Sequence, residues 1–384
     1  MSRVFPPLAE RYHELRESAR VVADACAPFA DRADESDSVD PDIRRLLRAS
    51  GLTAVQVAGE FGGLYDQPDS LAVTIVREQF AMVSSHLDSL FAMQGIGSFA
   101  ISVGGSDEIK QSWLPRVAAL DVISALALTE PDVGSDLKAL TTTITADGDH
   151  LIVDGWKSFI TNAGDADYYC TLGKEVVDGT VGYSLVLVPA DTEGVHTSRP
   201  HQVIAPHVLG DVHFDQVRVP ASHRLGAPGK GFSLVLATLA TFRVSVAGAA
   251  IGTAQAALDD ALEHTTTRTQ FGAPLARLGP IPQLLALSWT EIEVARAFTY
   301  QAAEAAAAAP RESLHLSSMA KVAATEMAAH VVDRSVQVMG RFGLIRGSRI
   351  ERLYRAARPM RVYEGATEVL LDSLSKQLIK EHRA

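Results

Sequence analysis

The chain has 384 residues, 47% hydrophobic and 21% charged, with 46 acidic against 35 basic side chains and a formal net charge of −11. That length holds two or three domains with full-sized cores, and the composition excludes a disordered chain. The acid excess argues against nucleic acid or an anionic membrane as partner, since both need clustered cations. Two distant cysteines, Cys26 and Cys170, without a CxxC, argue against a disulfide framework, and no metal site is expected.

Residues 1–122 read as helical. The first residues, "MSRVFPPLAERYHELRE", lack an apolar signal core, and no apolar run reaches the eighteen or so residues of a spanning helix, so a cytoplasmic location is expected. Residues 8–30 have helical spacing. "VDPDIRRLLRASG" is a marked helix, with Asp40 as N-cap, Pro41 in the first turn, Ile43, Leu46 and Leu47 on one face and Gly51 as terminator. Long Ala- and Leu-rich helical segments continue over 68–119.

Between 123 and 232 the pattern turns to strands. "ALTTTITADGDHLIVDGWKSFITNA" is β-branched and alternating, with Asp147-Gly148 and Asp154-Gly155 as hairpin-type turn pairs. "GYSLVLVPA" and "DVHFDQVRVPA" read as further strands, each closed by a proline. From 233 to 384 the chain is helical again. Its first segment is apolar on most sides, which implies burial in a bundle or against another subunit, and further helices are expected near 282–308 and 313–340. Strands and helices therefore lie in blocks rather than alternating, an α+β pattern that argues against a doubly wound sheet. No GxGxxG follows a strand and no GxxxxGK[ST] occurs, so a nucleotide cofactor would not use a Rossmann or Walker loop.

Five stretches carry residues suited to chemistry, each with a plainer structural reading beside it. In "ALALTEPDVGSD" (125–136), Gly134 and Ser135 offer small side chains and backbone N–H donors to a planar or anionic ligand, or form a simple strand exit. In "WKSFITNAGDADYY" (156–169), Phe159 and Thr161 fall on one strand face by period two, suiting a flat heterocycle or a packed core. "RTQFGAPL" (268–275) pairs a cation with an aromatic ring, and "QVMGRFG" (337–343) places glycines at a helix end, where a C-cap explains them equally well. In "RVYEGATEVL" (361–370), the lone carboxylate of Glu364 follows a strongly basic run, though most single glutamates are solvated.

Taken in order, "LTEPDVGSD", "FITNA", "RTQFG" and "ERLYRAARPMRVYEGATE" make the chain resemble the acyl-CoA dehydrogenase family over almost its whole length. The resemblance implies an N-terminal α-helical domain (1–122), a middle β-barrel-like domain (123–232) and a C-terminal four-helix bundle (233–384). It implies FAD between the middle and C-terminal domains and a homo-oligomer, a tetramer or a dimer. Leu128, Thr129, Gly134, Ser135, Phe159, Ile160 and Thr161 would meet the flavin and ribityl side. Arg268, Phe271 and Gln337 would hold the pyrophosphate and adenine of a neighbouring subunit's FAD, with Gly340 and Arg341 in the pyrophosphate loop and Glu368 near the adenosine. Glu364 would be the catalytic base and its backbone N–H an oxyanion donor, with Gly365 letting the main chain approach the ligand. Gln94, Ser135, Arg243, Tyr363 and Gly365 would border the substrate, an acyl thioester on CoA or on an acyl carrier protein. A buried Gln94 amide would favour a short or polar acyl group. The segment around Gln94 is also similar to that of acyl-carrier-protein dehydrogenases of polyketide pathways that build hydroxymalonyl-type extender units. An electron-transfer flavoprotein or similar acceptor would reoxidise the flavin; an oxidase on the same scaffold is the alternative.

One alternative base position is closed: the residue before Arg243 is Phe242, which cannot accept a proton. The chain departs from the family pattern at Gly340-Arg341, where two glycines are usual, at Ala356, and at Gly279 and Pro282.

Overall fold

The computed structural model describes residues 8–383. Five helices come first: α1 (Glu10–Ala33), α2 (Pro41–Ser50), α3 (Ser70–Ala81), α4 (Ser85–Gly104) and α5 (Asp107–Ala118). Eight strands follow: β1 (Ser124–Ala127), β2 (Thr143–Asp147), β3 (His150–Thr161), β4 (Tyr168–Val177), β5 (Thr180–Pro189), β6 (Val195–Ser198), β7 (Leu209–Pro220) and β8 (Arg224–Leu225). Then come the long α6 (Gly231–Thr267), a two-stranded turn of β9 (Thr269–Gln270) and β10 (Ala273–Pro274), α7 (Ile281–Ala308), α8 (Leu314–Met339), α9 (Arg349–Ala357) and α10 (Thr367–His382). The local signals read above are visible here. Asp40 accepts hydrogen bonds from the N–H groups of Asp42 and Ile43, and Gly51 closes α2 in the left-handed region.

Contacts divide the chain into two compact units that do not follow its linear order. The helical unit comprises the described residues up to Asp34, Ser70–Asp88 and the chain from Arg243 onward; the mixed unit comprises Glu35–Asp69 and Ser89–Phe242.

In the mixed unit the strands run β6-β7-β3-β2-β4-β5-β8, with β1 added in parallel beside β4. Among the described residues no ladder joins β6 to β8, so the sheet of the β-barrel-like middle domain has two ends. Strand alternation feeds two separate cores. Tyr169, Val186 and Val188 join Leu151, Val212 and Phe214 on one face. Their neighbours Tyr168, Cys170, Leu185 and Leu187 face the other way and pack with Val57, Phe61 and Leu114 from the helical segments of this unit. Asp154-Gly155 is not a hairpin turn. β3 runs straight through it as a bulge against β7, and the pairing register shifts between Val153 and Gly155. The turn that period and composition missed is Asp178-Gly179, where both residues have positive φ and join β4 to β5.

In the helical unit α7 and α8 run as neighbours, α3 touches α1 and α7, and α9 and α10 pack on α8. Contrary to the sequence reading, α6 contains an apolar stretch long enough to cross a membrane, but 89% of that window is buried within the chain. Its small residues serve close packing: a Cβ at Gly252 would meet the Glu78 carbonyl oxygen at 2.1 Å, and one at Gly248 the Thr74 oxygen at 2.4 Å. α6 and α3 therefore touch backbone to backbone. Fully buried Arg296 donates from Nε to Glu78 Oε1 (3.0 Å) and from Nη2 to Gln255 Oε1 (3.0 Å), and Tyr300 donates to Glu78 Oε2 (2.9 Å), which locks α3, α6 and α7 together.

Candidate active site

In the mixed unit the candidates cluster where β1 exits and β3 bulges. Leu128 and Thr129 are held through their main chain. The fully buried Lys157 donates its ammonium to Leu128 O (2.9 Å), and the Ser158 N–H donates to Thr129 O (2.9 Å). The next residue, Glu130, anchors the turn. It accepts from Thr141 N (2.6 Å), Thr141 Oγ1 (2.7 Å), Thr142 N (2.9 Å) and Lys157 Nζ (3.0 Å). Burial works against its charge, but the hydrogen bonds from Thr142 and Thr141 win and bring the carboxyl down to about 2. Burial likewise pushes Lys157 down to about 8, with Glu130 opposing the shift. Gly134 and Ser135, just beyond this pinned turn, are exposed.

Phe159 does not sit on a regular strand face with Thr161. The β3–β7 register shifts between Lys157 and Ile160, and Phe159 takes φ +55, which turns its ring outward and leaves it half exposed. The period-two reading is corrected: a bulge, not alternation, displays this ring. Ile160 differs from its neighbours on the bulge. Its side chain packs into the strand core, so only its main chain is left to face a ligand. Thr161 is half-buried with Oγ1 3.3 Å from His207 Nε2. One face of the Phe159 ring carries His201, stacked at 4.0 Å, and His201 Nε2 lies 2.9 Å from Asp211. Asp211 also accepts from Ser158 (2.7 Å) and Trp156 (3.0 Å), which hold its carboxyl low against the effect of burial. Sequence reading missed Glu130, Lys157, His201 and Asp211. An ion pair 27 residues apart leaves no local pattern to find.

Gln94 is fully buried, but its amide is committed inside the mixed unit. It donates to Leu90 O (3.1 Å) and accepts from Ser124 Oγ (3.3 Å), which lies 2.8 Å from the Tyr168 hydroxyl. An internal network explains this polar residue, and the inference from Gln94 to a polar acyl group loses its ground.

In the helical unit the basic candidates converge on a ring. Arg268 and Arg341 both place their guanidinium groups over Phe342, at 4.9 and 5.2 Å from its centre. Arg341 therefore adds a cation beside Arg268. Phe271 is 95% exposed and held at φ +49, while Gln337, Gly340 and Glu368 are also exposed. An aromatic ring offered almost wholly to solvent at the tip of a tight turn suits a ligand or a second chain.

Glu364 lies on the turn between α9 and α10. The N–H groups of Val362 and Tyr363 both donate to Pro359 O, and the chain then reverses through Glu364 at φ +54 and Gly365 at φ +107. Gly365 is explained by the chain itself. Its φ suits glycine, and an added Cβ would lie 2.8 Å from Leu370 Cδ2. Tyr363, just before Glu364 in this turn, is partly exposed. Arg243 is not in a salt bridge among the described residues; its Nε donates to Glu364 O (3.0 Å) and its Nη1 to Ser318 Oγ (3.1 Å). Lys321, fully buried, donates to Gly365 O at 2.7 Å. One oxygen of the carboxylate is left bare: Oε2 is buried and has no hydrogen-bond partner. Burial raises its pKa, while the charges of Arg77, Arg243 and Lys321 pull the other way. Arg77 is itself paired with Asp88 through two bonds of 2.8 Å. Arg77, Asp88 and Lys321 were not singled out from the sequence.

The two clusters fit the chemistry that the motifs imply. One offers a displayed ring beside small residues. The other offers a carboxyl group with one buried, unsatisfied oxygen, and two guanidinium groups on a ring elsewhere in the same unit.

Comparison with known proteins agrees along the whole chain. Models for the N-terminal, middle and C-terminal domains of acyl-CoA dehydrogenases match residues 9–121, 125–217 and 229–379. The cyclohexane-1-carbonyl-CoA dehydrogenase of Geobacter metallireducens is 31% identical, with 96% of each chain aligned. A glutaryl-CoA dehydrogenase from Mycobacterium smegmatis, solved with FADH2, superposes with a TM-score of 0.89 at 25% identity, covering 97% of this chain and 95% of its own. FkbI, described as serving biosynthesis of a methoxymalonyl extender unit of a polyketide, gives 0.82 at 31% identity over 94% of this chain and 99% of its own. With three domain models in register and full-length relatives on either side of 30% identity, the chain belongs to the acyl-CoA dehydrogenase family.

Proposed function

We propose that this chain is a FAD-dependent acyl-thioester dehydrogenase in which Glu364 removes the α-proton. The observation that carries the reading is the state of that carboxyl group, buried at Oε2, unbonded and raised in pKa by burial. A carboxylate solvated by water is a weak base toward a carbon acid; one stripped of donors is stronger and has an open lone pair for the arriving proton. Arg243 and Lys321 fix the peptide on which it rides without occupying it. Arg243 follows Phe242, so no acid stands at that place to compete as base.

When bound, FAD supplies the acceptor for the hydride that leaves the β-carbon. Thr129, Gly134, Ser135, Phe159 and Thr161 would hold its ring end, and Arg268 and Arg341 the phosphates of a neighbouring subunit's FAD. The pinned Thr129-Glu130 turn keeps the first of these in place. An electron-transfer flavoprotein or similar acceptor would complete the turnover.

CoA and a carrier protein are both candidate carriers of the acyl group: the Geobacter relative is named for a CoA thioester, and FkbI for a polyketide extender unit. The deciding experiment is anaerobic bleaching of the FAD-loaded protein by a panel of short acyl groups, each on CoA and on a carrier-protein arm. Bleaching by one carrier alone assigns the carrier. Rapid peroxide formation in air would turn the reading toward an oxidase. Protein that cannot be loaded with FAD, or a Glu364→Gln variant that bleaches at the wild-type rate, would refute the reading.

A further inference from the structure

The turn that carries Glu364 is gripped by cations through its main chain. Arg243 takes the carbonyl of Glu364 and Lys321 the carbonyl of Gly365. Just outside them, Arg361 Nε and Thr367 Oγ1 each bond Glu326 Oε1 at 2.8 Å. Two successive residues with positive φ are thereby held from α6 and α8, and charge-assisted bonds offset the strain.

Lys321 is the unusual member. A fully buried ammonium is costly unless paired, and among the described residues no carboxylate comes within 4 Å of it; its bond is to a neutral carbonyl. The charges around it account for its presence. Those bearing on Lys321 are Glu364, Arg243 from α6, Glu326 from its own helix, and Arg361. Those bearing on Glu364 are Arg77 from α3, Asp88 from α4, Arg243 and Lys321. Arg77 is matched by Asp88, and Arg361 by Glu326 at 2.7 Å. Two unmatched cations, Arg243 and Lys321, therefore face one unmatched carboxylate.

We propose that Lys321 is a positioning residue for the base: it fastens the Glu364-Gly365 peptide in its left-handed turn, and its charge keeps Glu364 in the ionised form that accepts a proton. This rests on the reading of Glu364 as base. Burial pushes Lys321 down to about 8, with Glu364 opposing, so the charge is present through neutral pH and fades above that value. Removing it shifts the titration of Glu364 upward, since a nearby cation favours the carboxylate.

The test compares wild type, Lys321→Met, Lys321→Gln and Lys321→Arg, all loaded with FAD. One readout is the rate of anaerobic bleaching by butyryl-CoA against pH. The other needs no turnover: the infrared carboxyl band of Glu364, identified by difference from Glu364→Gln and titrated without substrate. Lys321→Met and Lys321→Gln are expected to slow bleaching at least ~tenfold near about pH 6 and to recover to within about threefold near about pH 9. In both, the protonated carboxyl band persists to higher pH, while Lys321→Arg keeps the wild-type profile. Equal slowing at every pH with an unmoved infrared titration would overturn the proposal. If Lys321→Met fails to fold, Lys321→Gln decides, because it keeps a donor and lacks the charge. Full-rate bleaching by Glu364→Gln would sink the base assignment alone, and the infrared titration would still report on Lys321.

Discussion

Two glutamates with buried carboxyl oxygens meet opposite fates in this chain. Glu130 in the mixed unit receives four donors and is driven down to about 2. Glu364 in the helical unit has a buried oxygen with no donor at all, and burial raises it. Both have cations nearby, so charge alone does not separate them. The difference is where the cations bond. Lys157 reaches the Glu130 carboxylate, whereas Arg243 and Lys321 spend their hydrogen bonds on the carbonyls beside Glu364. A carboxylate that is satisfied builds structure, and one that is left bare is available for proton transfer.

The strongest way to break this comparison is to remove the bare carboxylate. Glu364→Gln keeps shape and loses the base, so bleaching by an acyl thioester is expected to fall by about 10²–10⁴-fold while FAD content and melting temperature hold. In the wild type the rate should decline on the acid side as Glu364 protonates, at a pH above the ordinary glutamate range because its pKa is raised. Equal activity at pH values below that range would remove Glu364 from the chemistry.

The converse is to strand the satisfied one. Lys157→Met leaves Glu130 buried beside three hydroxyl and amide donors but without its cation, at a cost of about 3–5 kcal/mol in stability. Thermal or denaturant unfolding should show this loss. The intact pair itself contributes little net stability at neutral pH, because the downward shift of Glu130 is favourable and the downward shift of Lys157 is not. Acid reveals the favourable half. An unfolded glutamate protonates near 4.5 and the folded one near 2, so the unfolded state binds the extra proton and stability falls as pH drops across that interval.

Gly365→Ala probes the turn rather than the charge. The alanine would occupy φ +107 and press on Leu370 Cδ2, costing about 1–3 kcal/mol. Bleaching should slow while the acid limb of its pH profile stays in place, unlike the response expected of Lys321→Met.

The sequence made the helical and strand blocks legible because they rest on local rules: capping at Asp40, apolar spacing along the helices and β-branched alternation. Glu364 could be read only through the ordered motifs around it; a single glutamate has no signature of its own. What escaped was long-range. Lys321 lies 43 residues from Glu364 in the sequence, and a buried lysine on an Ala-rich helix looks like any solvated one. Asp154-Gly155 carried the composition of a turn, yet the pairing of β3 with β7 overrode it. Phe159 failed by the same route, since a bulge resets alternation without changing the residues that alternate.

The finest adjustment to the comparison is Thr141→Ala, which moves Glu130 one step toward the condition of Glu364. It removes the 2.7 Å hydroxyl donor and leaves the backbone donors and Lys157 in place. The loss of one hydrogen bond to a charged acceptor is worth about 1.5–3 kcal/mol at most, and the remaining donors should reduce it toward about 1 kcal/mol. The direction at low pH follows from linkage. With one donor gone, the folded carboxyl titrates closer to its unfolded value, so the acid-induced loss of stability becomes smaller even as stability at neutral pH declines. Unfolding curves at about pH 3 and about pH 7 should therefore lie closer together in the variant than in the wild type. Curves that shift in parallel would mean that the hydroxyl supports the turn without tuning the charge, and that Glu130 owes its low pKa to the remaining donors of Thr141 and Thr142.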